Sequence, residues 1–299
     1  MPHRRGRGVS TVGDLAPAGA LVVGTYLRTL RQEQGLPLSR AADILSEPSA
    51  TVREIETGNL CPDEVMVQAL LKAYGATERH HAQVLMRLLD DAARGQEVSY
   101  DGGPGWLSRL SACERAAHAL VTFSAWFIPG LLQIPAYATL WRSLQHGGHP
   151  PSKAETAARR LPAHCGKTMT VLLDESVLMR AIGGPVLMRD QLTHVLESAT
   201  DGSIRVLIIP LAAPLVLPLG TLSELFLTRQ RLYLQEVQGT TYSTGHSHGA
   251  ARHRFLEAAL DNALSPKVSL TRLREARDAF AAAAAAVRTP VAARKEVAR

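Results

Sequence analysis

The side chains best suited to chemistry gather in "TGHSHGAARH", residues 244–253, where His246, His248 and His253 lie close together beside Tyr242 and Arg252. Neutral imidazoles ligate divalent metals, but a His-x-His pair needs further ligands, and Glu257, one helical turn past His253, is the nearby acidic candidate. The stretch reads as a polar loop entering the helix "ARHRFLEAAL", and no metal or cofactor is expected. His164 beside Cys165 matches no nucleophile motif, because a catalytic Cys and His meet in space rather than in sequence. Asp174 and Glu175 in "LLDES" are of the types that form acid/base pairs; at the head of a helix, carboxylates cap backbone N–H groups and meet the helix dipole favourably. The stretches "GDLAPAGA" and "DGGPGW" lack the glycine order of a phosphate loop or dinucleotide fingerprint. No catalytic residue is assigned.

A second concentration of functional side chains is "WFIPGLLQIPAYA", residues 126–138, whose polar handles are one indole, one amide and one phenol. Two readings are open. Pro129 starts a helix and Gly130 allows close approach, so Leu131, Leu132, Ile134 and Tyr137 form a buried wedge between helix and sheet. Alternatively, Trp126, Phe127, Leu132, Gln133 and Tyr137 line a pocket for an apolar small molecule or a groove for a small protein partner.

The elements that must position these groups follow from composition and periodicity. The chain has 299 residues, 46% of them apolar, enough for a substantial core in one large domain or two ordinary ones. No apolar run reaches the ~20 residues that span a bilayer, and the N-terminus lacks a signal-peptide core, so a cytoplasmic protein without a membrane partner is expected. The cysteines, Cys61, Cys113 and Cys165, are too far apart for a metal knuckle or a readable disulfide framework. The net charge of +6 suggests nucleic acid, yet residues 20–90 carry seven basic against nine acidic side chains. The positive excess lies at the two ends.

Residues 1–20 are rich in Arg, Gly, Pro and Ala and read as a flexible basic arm. From 21 to 98 the apolar positions recur at helical spacing: Leu27 and Leu30, then Leu38, Ala42 and Leu45, then Val52 and Ile55, then Val67, Leu70 and Leu71. Gly35 ends the first helix, Ser39 caps the second, "SEPS" separates the second from the third, and Gly58 stops the third. The short second connection suits a helix-turn-helix. "SYDGGPGW", residues 99–106, reads as a boundary. Residues 106–283 open with helices, "LSACERAAHALVTFSAW" and the region after Pro135, and turn strand-like at "TMTVLLD", "SIRVLIIPL", "SELFLT" and "RLYLQEV". Residues 284–299 read as a flexible tail beginning in a helix that breaks at Pro290. The expected fold class is α+β: an N-terminal all-α helix-turn-helix bundle, then a domain of helices and a small β-sheet.

Residues 24–75 resemble the XRE type of helix-turn-helix domain, through the order LR.LR…G…S..A..L…S..TV..IE.G…P with "SATVREIETG" at the recognition helix. The resemblance implies that double-stranded DNA is the partner, that this helix enters the major groove, and that the protein is a homodimer on paired half-sites. Ser49, Ala50, Thr51 and Arg53 are the implied readers of base edges, and Arg40 the implied phosphate contact. Glu54 stands where a basic or neutral residue is common, and the acidic module has little counterion release to draw on.

Residues 110–264 are similar to the C-terminal domain behind such modules in actinobacterial regulators of a toxin-antitoxin-like group. The matching residues are Glu114, Ala117, Ile128, Pro129, Gly130, Leu131, Leu132, Gln133, Tyr137 and Ala138, followed by "LLDESVLMRAIGGPVLMRDQLTHVLE" and "IRVLIIPL". Ile134 replaces that group's threonine, and "PLAAPLVLPLGTLSE" is unusually apolar. The resemblance implies a bacterial transcriptional regulator with a ligand-sensing or partner-binding C-terminal domain. Two alternatives stand beside it: a small-molecule enzyme on a regulator fold, using Glu114, Asp174, Tyr137 or a histidine for proton transfer, and an antitoxin-like module that holds a small protein.

Overall fold

A computed structural model describes residues 15–77, 79–145, 167–202 and 204–288. Backbone contacts divide the chain into two units. One comprises the chain up to Cys113 together with Thr241–Gly249; the other comprises Glu114–Thr240 and the chain from Ala250 onward.

The first unit is built on α1 (Ala18–Glu33), which is buried along every residue from Ala18 to Leu27. A helix apolar all round its first turns must be covered all round. Ala18, Gly19 and Ala20 are therefore helical core, although their composition groups them with the arm; residues 1–14 lie outside the described part. α2 (Leu38–Leu45) and α3 (Ser49–Glu56) follow, joined by Ser46, Glu47 and Pro48. The turn is made by Ser46 in the left-handed region (φ 51°), and Pro48 then holds the extended backbone from which α3 starts. Ser39 does not cap α2. Pro37 occupies that position without a side-chain hydrogen bond, because the extended backbone at the proline lets the helix begin at the very next residue, Leu38. α4 (Glu64–Ala73) is capped as its sequence allows, Asp63 Oδ1 accepting from the Met66 N–H at 2.8 Å. α5 (Arg79–Ala93) packs on α1.

Two glycines set how closely these helices approach. A Cβ on Gly24 would lie 2.1 Å from the Ile55 carbonyl oxygen, so α1 and α3 meet backbone to backbone. Gly58 closes α3 at φ +75°, where a Cβ would also meet the Leu21 Cα at 2.8 Å.

After α5 the chain forms β1 (Val98–Asp101) and α6 (Trp106–Ala116). The Gly-rich stretch between them is held within the first unit by a wholly buried ion pair: Arg109 Nε and Nη2 donate to the two Asp101 carboxylate oxygens at 2.6 and 2.8 Å. Arg109 Nη2 also donates to the Pro104 carbonyl at 3.0 Å.

The second unit carries β2 (Ala119–Ser124), α7 (Pro135–Gln145), β3 (Thr168–Asp174), α8 (Pro185–Thr200), β4 (Arg205–Ile209), β5 (Thr221–Phe226), β6 (Arg231–Glu236), α9 (Ala250–Asp261) and α10 (Pro266–Arg288). Its strands run in the order β6-β5-β2-β3-β4. β2, β3 and β4 are parallel; β5 and β6 are antiparallel. The register places Phe123 opposite both Leu172 and Leu222, and Leu172 opposite Leu207, so these four side chains form one row. Leu256 and Ala259 of α9 cover that row, and Phe255 meets Phe123 edge-on with centroids 4.9 Å apart. The edge strand β4 is closed by the start of α10: the Ile208 N–H donates to Ser269 Oγ at 3.0 Å, and the Leu264 N–H donates to the Ile208 carbonyl at 2.8 Å.

The α+β class is as expected, and the strands expected at "TMTVLLD", "SIRVLIIPL", "SELFLT" and "RLYLQEV" are β3 to β6. One element differs. The second half of "LSACERAAHALVTFSAW" is not helix but β2, which lies between β5 and β3. Helix ends at Ala116, and Val121, Thr122 and Phe123 then suit a pleated, buried strand. A last strand, β7 (Thr240–Ser243), lies beside β1 in the sheet order.

Substituting Gly24→Ala is expected to destabilise the protein by about 1–3 kcal/mol, because the added methyl drives α1 and α3 apart. Urea unfolding followed by circular dichroism measures it; a variant as stable as the parent contradicts the backbone contact.

Candidate nucleic-acid interface

α3 has a buried face and an outward one. Val52, Ile55 and Glu56 are buried, whereas Ala50 and Arg53 are exposed and Ser49, Thr51, Glu54 and Thr57 are half-buried. At 3.6 residues per turn, Ala50, Glu54 and Thr57 form one stripe opposite the buried residues, and Arg53 flanks it. Thr51 is turned aside, its Oγ1 donating to Glu47 Oε2 at 3.4 Å. Arg40 is well exposed on α2, with the Asp43 carboxylate 4.0 Å from its guanidinium; such an exposed pair contributes little and leaves the cation available. Thr57 of this stripe and Asn59, which adjoins it, are outside the expected reader set. Asn59 Nδ2 donates to Glu54 Oε2 at 2.8 Å and to Thr57 Oγ1 at 3.2 Å, which joins the end of the stripe into one network. The i, i+4, i+7 spacing from Ala50 was the available signal for Glu54 and Thr57.

The position of α3 is fixed from behind. Arg31 on α1 donates from Nε to Glu56 Oε1 at 2.6 Å and from Nη2 to Glu56 Oε2 at 2.9 Å, both side chains being nearly buried. Its remaining Nη1 donates to the Leu36 carbonyl at 2.6 Å. The hydrogen bond to Glu56 raises the Arg31 pKa further, against the opposing effect of burial. Tyr74 lies in the same environment: burial first, then the Glu56 charge, pushes its phenol up to about 12.

In the second unit, the segment 126–138 proves to be a plug whose polar groups bond inward. Phe127, Ile128, Leu132 and Tyr137 are buried. The Ile128 N–H donates to Tyr137 Oη at 3.2 Å, and Gln133 Nε2 donates to the Ile128 carbonyl at 2.6 Å. Gln191 of α8, itself buried, completes the lock: its Nε2 donates to the Leu132 carbonyl at 2.7 Å, and its Oε1 accepts the Ile134 N–H at 2.9 Å. Phe127 stacks on Trp141 with centroids 4.0 Å apart. Trp126 alone of the five candidate residues is exposed, with the Arg180 guanidinium 5.7 Å from its ring centroid and its indole N–H directed at the Pro218 carbonyl. The loop after β4, which supplies that carbonyl, presents Leu211, Val216 and Leu219 to solvent.

The remaining candidates are dispersed. His248 pairs with Glu97, which also accepts from Ser247, and these bonds hold the Glu97 carboxyl down to about 2. His253 instead bridges Glu224 and Glu257, at 3.2 Å from each. Asp174 caps the short turn after β3, accepting from the Ser176 N–H at 2.9 Å, and Glu175 accepts from the Leu211 N–H at 3.2 Å. Glu114 is buried. His164 and Cys165 lie outside the described residues, as does the side chain of His246. Among the described residues no helix is long and apolar enough to cross a membrane.

Residues 22–84 match the model of a helix-turn-helix domain, a span that runs from within α1 to the start of α5. Residues 107–275 match a domain of unknown function, DUF5753. The chain belongs to that family. Neither the curated proteins nor the solved structures yielded a match. In this DUF5753 protein the helix-turn-helix match supports a DNA-binding transcriptional regulator.

Two outcomes are expected. Glu56→Ala leaves the Arg31 cation buried without its partner and lowers stability by about 3 kcal/mol in urea unfolding, whereas the double change Arg31→Met with Glu56→Leu recovers most of it. Tyr74 and Tyr137 both have phenols pushed from 10 to about 12, chiefly by burial. A raised phenol pKa favours the neutral form in the folded state, so this contribution to stability is complete below pH 10 and is lost as pH climbs through about 12. Ultraviolet titration of phenolate is expected to show these two groups ionising late; ionisation of every tyrosine near pH 10 in folded protein refutes it.

Proposed function

We propose that the protein is an XRE-type transcriptional regulator that binds double-stranded DNA as a homodimer. α3 enters the major groove, Ser49, Ala50 and Arg53 face base edges, and Arg40 contacts phosphate. The observation that carries this reading is the division of α3: Val52, Ile55 and Glu56 fasten it to the bundle, while Ala50 and Arg53 stay exposed beside Arg40 of α2. The C-terminal domain senses a ligand or holds a small protein partner at the rim where Trp126, Leu211 and Val216 are exposed, rather than inside the plug behind them. Occupancy there changes the spacing or availability of the paired recognition helices.

Fluorescence anisotropy of the purified protein against its own upstream DNA, at several salt concentrations, tests the assignment. Specific binding with affinity falling as salt rises is expected. Arg53→Ala is expected to weaken it by about 1–3 kcal/mol, roughly five- to 150-fold, while binding to random duplex changes little. Affinity for the upstream DNA no better than for random duplex sinks the reading.

A further inference from the structure

Glu54 is an unusual residue to find at the centre of a DNA-facing stripe, since a carboxylate aimed at a duplex is repelled by phosphates and by the guanine and thymine oxygens of the major groove. Its placement makes it selective rather than merely unfavourable. The stripe opposite the buried Val52, Ile55 and Glu56 runs through Ala50, Glu54 and Thr57, so the carboxylate stands nearer the middle of the outward face than Arg53 does. Ala50 has only a methyl group, which leaves room beside it. Glu54 is also held. Asn59 Nδ2 donates to its Oε2 at 2.8 Å, Asn59 is tied to Thr57 Oγ1 at 3.2 Å, and Thr57 Oγ1 donates to the Arg53 carbonyl at 2.9 Å. The Asn59 and Leu60 N–H groups fold back on the Glu54 carbonyl at 2.9 and 3.1 Å, which fixes the loop that carries Asn59. One carboxylate oxygen is thereby committed to the protein, and the other, Oε1, has no partner among the described residues.

One base edge in the major groove suits a lone, fixed acceptor. Cytosine offers only its N4 amino group there; adenine pairs its amino group with the N7 acceptor, and guanine and thymine present acceptors to the same region. We infer that Glu54 reads a cytosine in each half-site through the cytosine N4 amino group, and that Asn59 is the positioning residue that aims it. The inference rests on the proposed DNA binding and adds the base class that the acidic position selects. It also assigns the acidic side chain a function: guanine or thymine at that position meets Oε1 with an acceptor, so wrong sites are rejected as well as right ones preferred.

The test is selection of bound duplexes from a library with a randomised centre, using the full-length wild-type protein, Glu54→Gln, Asn59→Ala and Arg53→Ala. For wild type, one position in each half-site is expected to be cytosine with roughly tenfold preference over the other bases. Glu54→Gln is expected to lose cytosine there and gain adenine, which a glutamine binds through N6 and N7, with every other position unchanged. Asn59→Ala is expected to flatten the preference at the same position only, whereas Arg53→Ala acts at a different one. Glu54→Gln selecting the same motif as wild type overturns the role of Glu54 and leaves the DNA-binding reading standing. A wild-type protein that enriches no motif overturns both.

Discussion

The Arg31–Glu56 pair is the constraint on which the helix-turn-helix part of the molecule depends. A helix of eight residues has almost no stability of its own, and α3 is anchored at its middle by Val52 and at its end by Ile55 and Glu56. Apolar contacts alone tolerate rotation. A bidentate guanidinium–carboxylate pair does not, because both nitrogens must meet both oxygens, and their burial penalises any arrangement that loses one bond. The pair therefore fixes the rotation of α3 about its axis, which decides whether Ala50 and Glu54 or their neighbours point outward. Gly24 complements it by letting the two backbones touch, so that the reach of Arg31 matches the position of Glu56.

The second unit solves a related problem with a neutral group. The segment after β2 is too rich in proline and apolar residues to bond to itself along its length, and its backbone polar groups would be costly if buried unpaired. Gln191 supplies one donor and one acceptor to the Leu132 carbonyl and Ile134 N–H, while Tyr137 and Gln133 serve the two backbone groups of Ile128. All three polar side chains act as substitutes for secondary structure. That is why the pocket walls suggested by Phe127, Leu132 and Tyr137 become a plug, and why Trp126, beyond the last of these bonds, stays on the surface.

Much of this architecture was legible in the residues, and the failures share a cause. Helices α1 to α4 follow from apolar spacing, and β3 to β6 from β-branched and aromatic runs, since each element's pattern is local. β2 was hidden because its Leu120, Val121 and Phe123 continue an alanine-rich helix without a proline or glycine to mark the change; its buried register against Leu172 and Leu222 exists only in three dimensions. Ser39 has the right type for a cap, yet Pro37 two residues earlier had already set the helix start. The bracing pair spans 25 residues, and Gln191 lies 59 residues from Leu132, distances at which one sequence carries no pairing signal. On the candidate interface, residue types identified Arg40 and Arg53 as cations, but the bond from Thr51 to Glu47 and the network from Asn59 to Glu54 depend on rotamers that no spacing reveals.

The acidic balance of the helical module then takes on a different meaning. A basic domain holds any duplex through released counterions and adds base contacts to an already favourable interaction. Here Asp43 stands beside Arg40, and Glu54 occupies the stripe that Arg53 only flanks, so α2 and α3 themselves offer little attraction to an arbitrary duplex. In the homodimer proposed above, affinity would come from contacts that exist only on the right sequence and from the simultaneous engagement of two recognition helices, where the second binding event occurs at high effective concentration. Such a homodimer would spend little time on non-specific DNA, and its occupancy would be governed by the geometry that joins the two helices. Under that proposal, the spacing of paired α3 helices, rather than their individual attraction for phosphate, is the quantity that a signal at the C-terminal domain would alter.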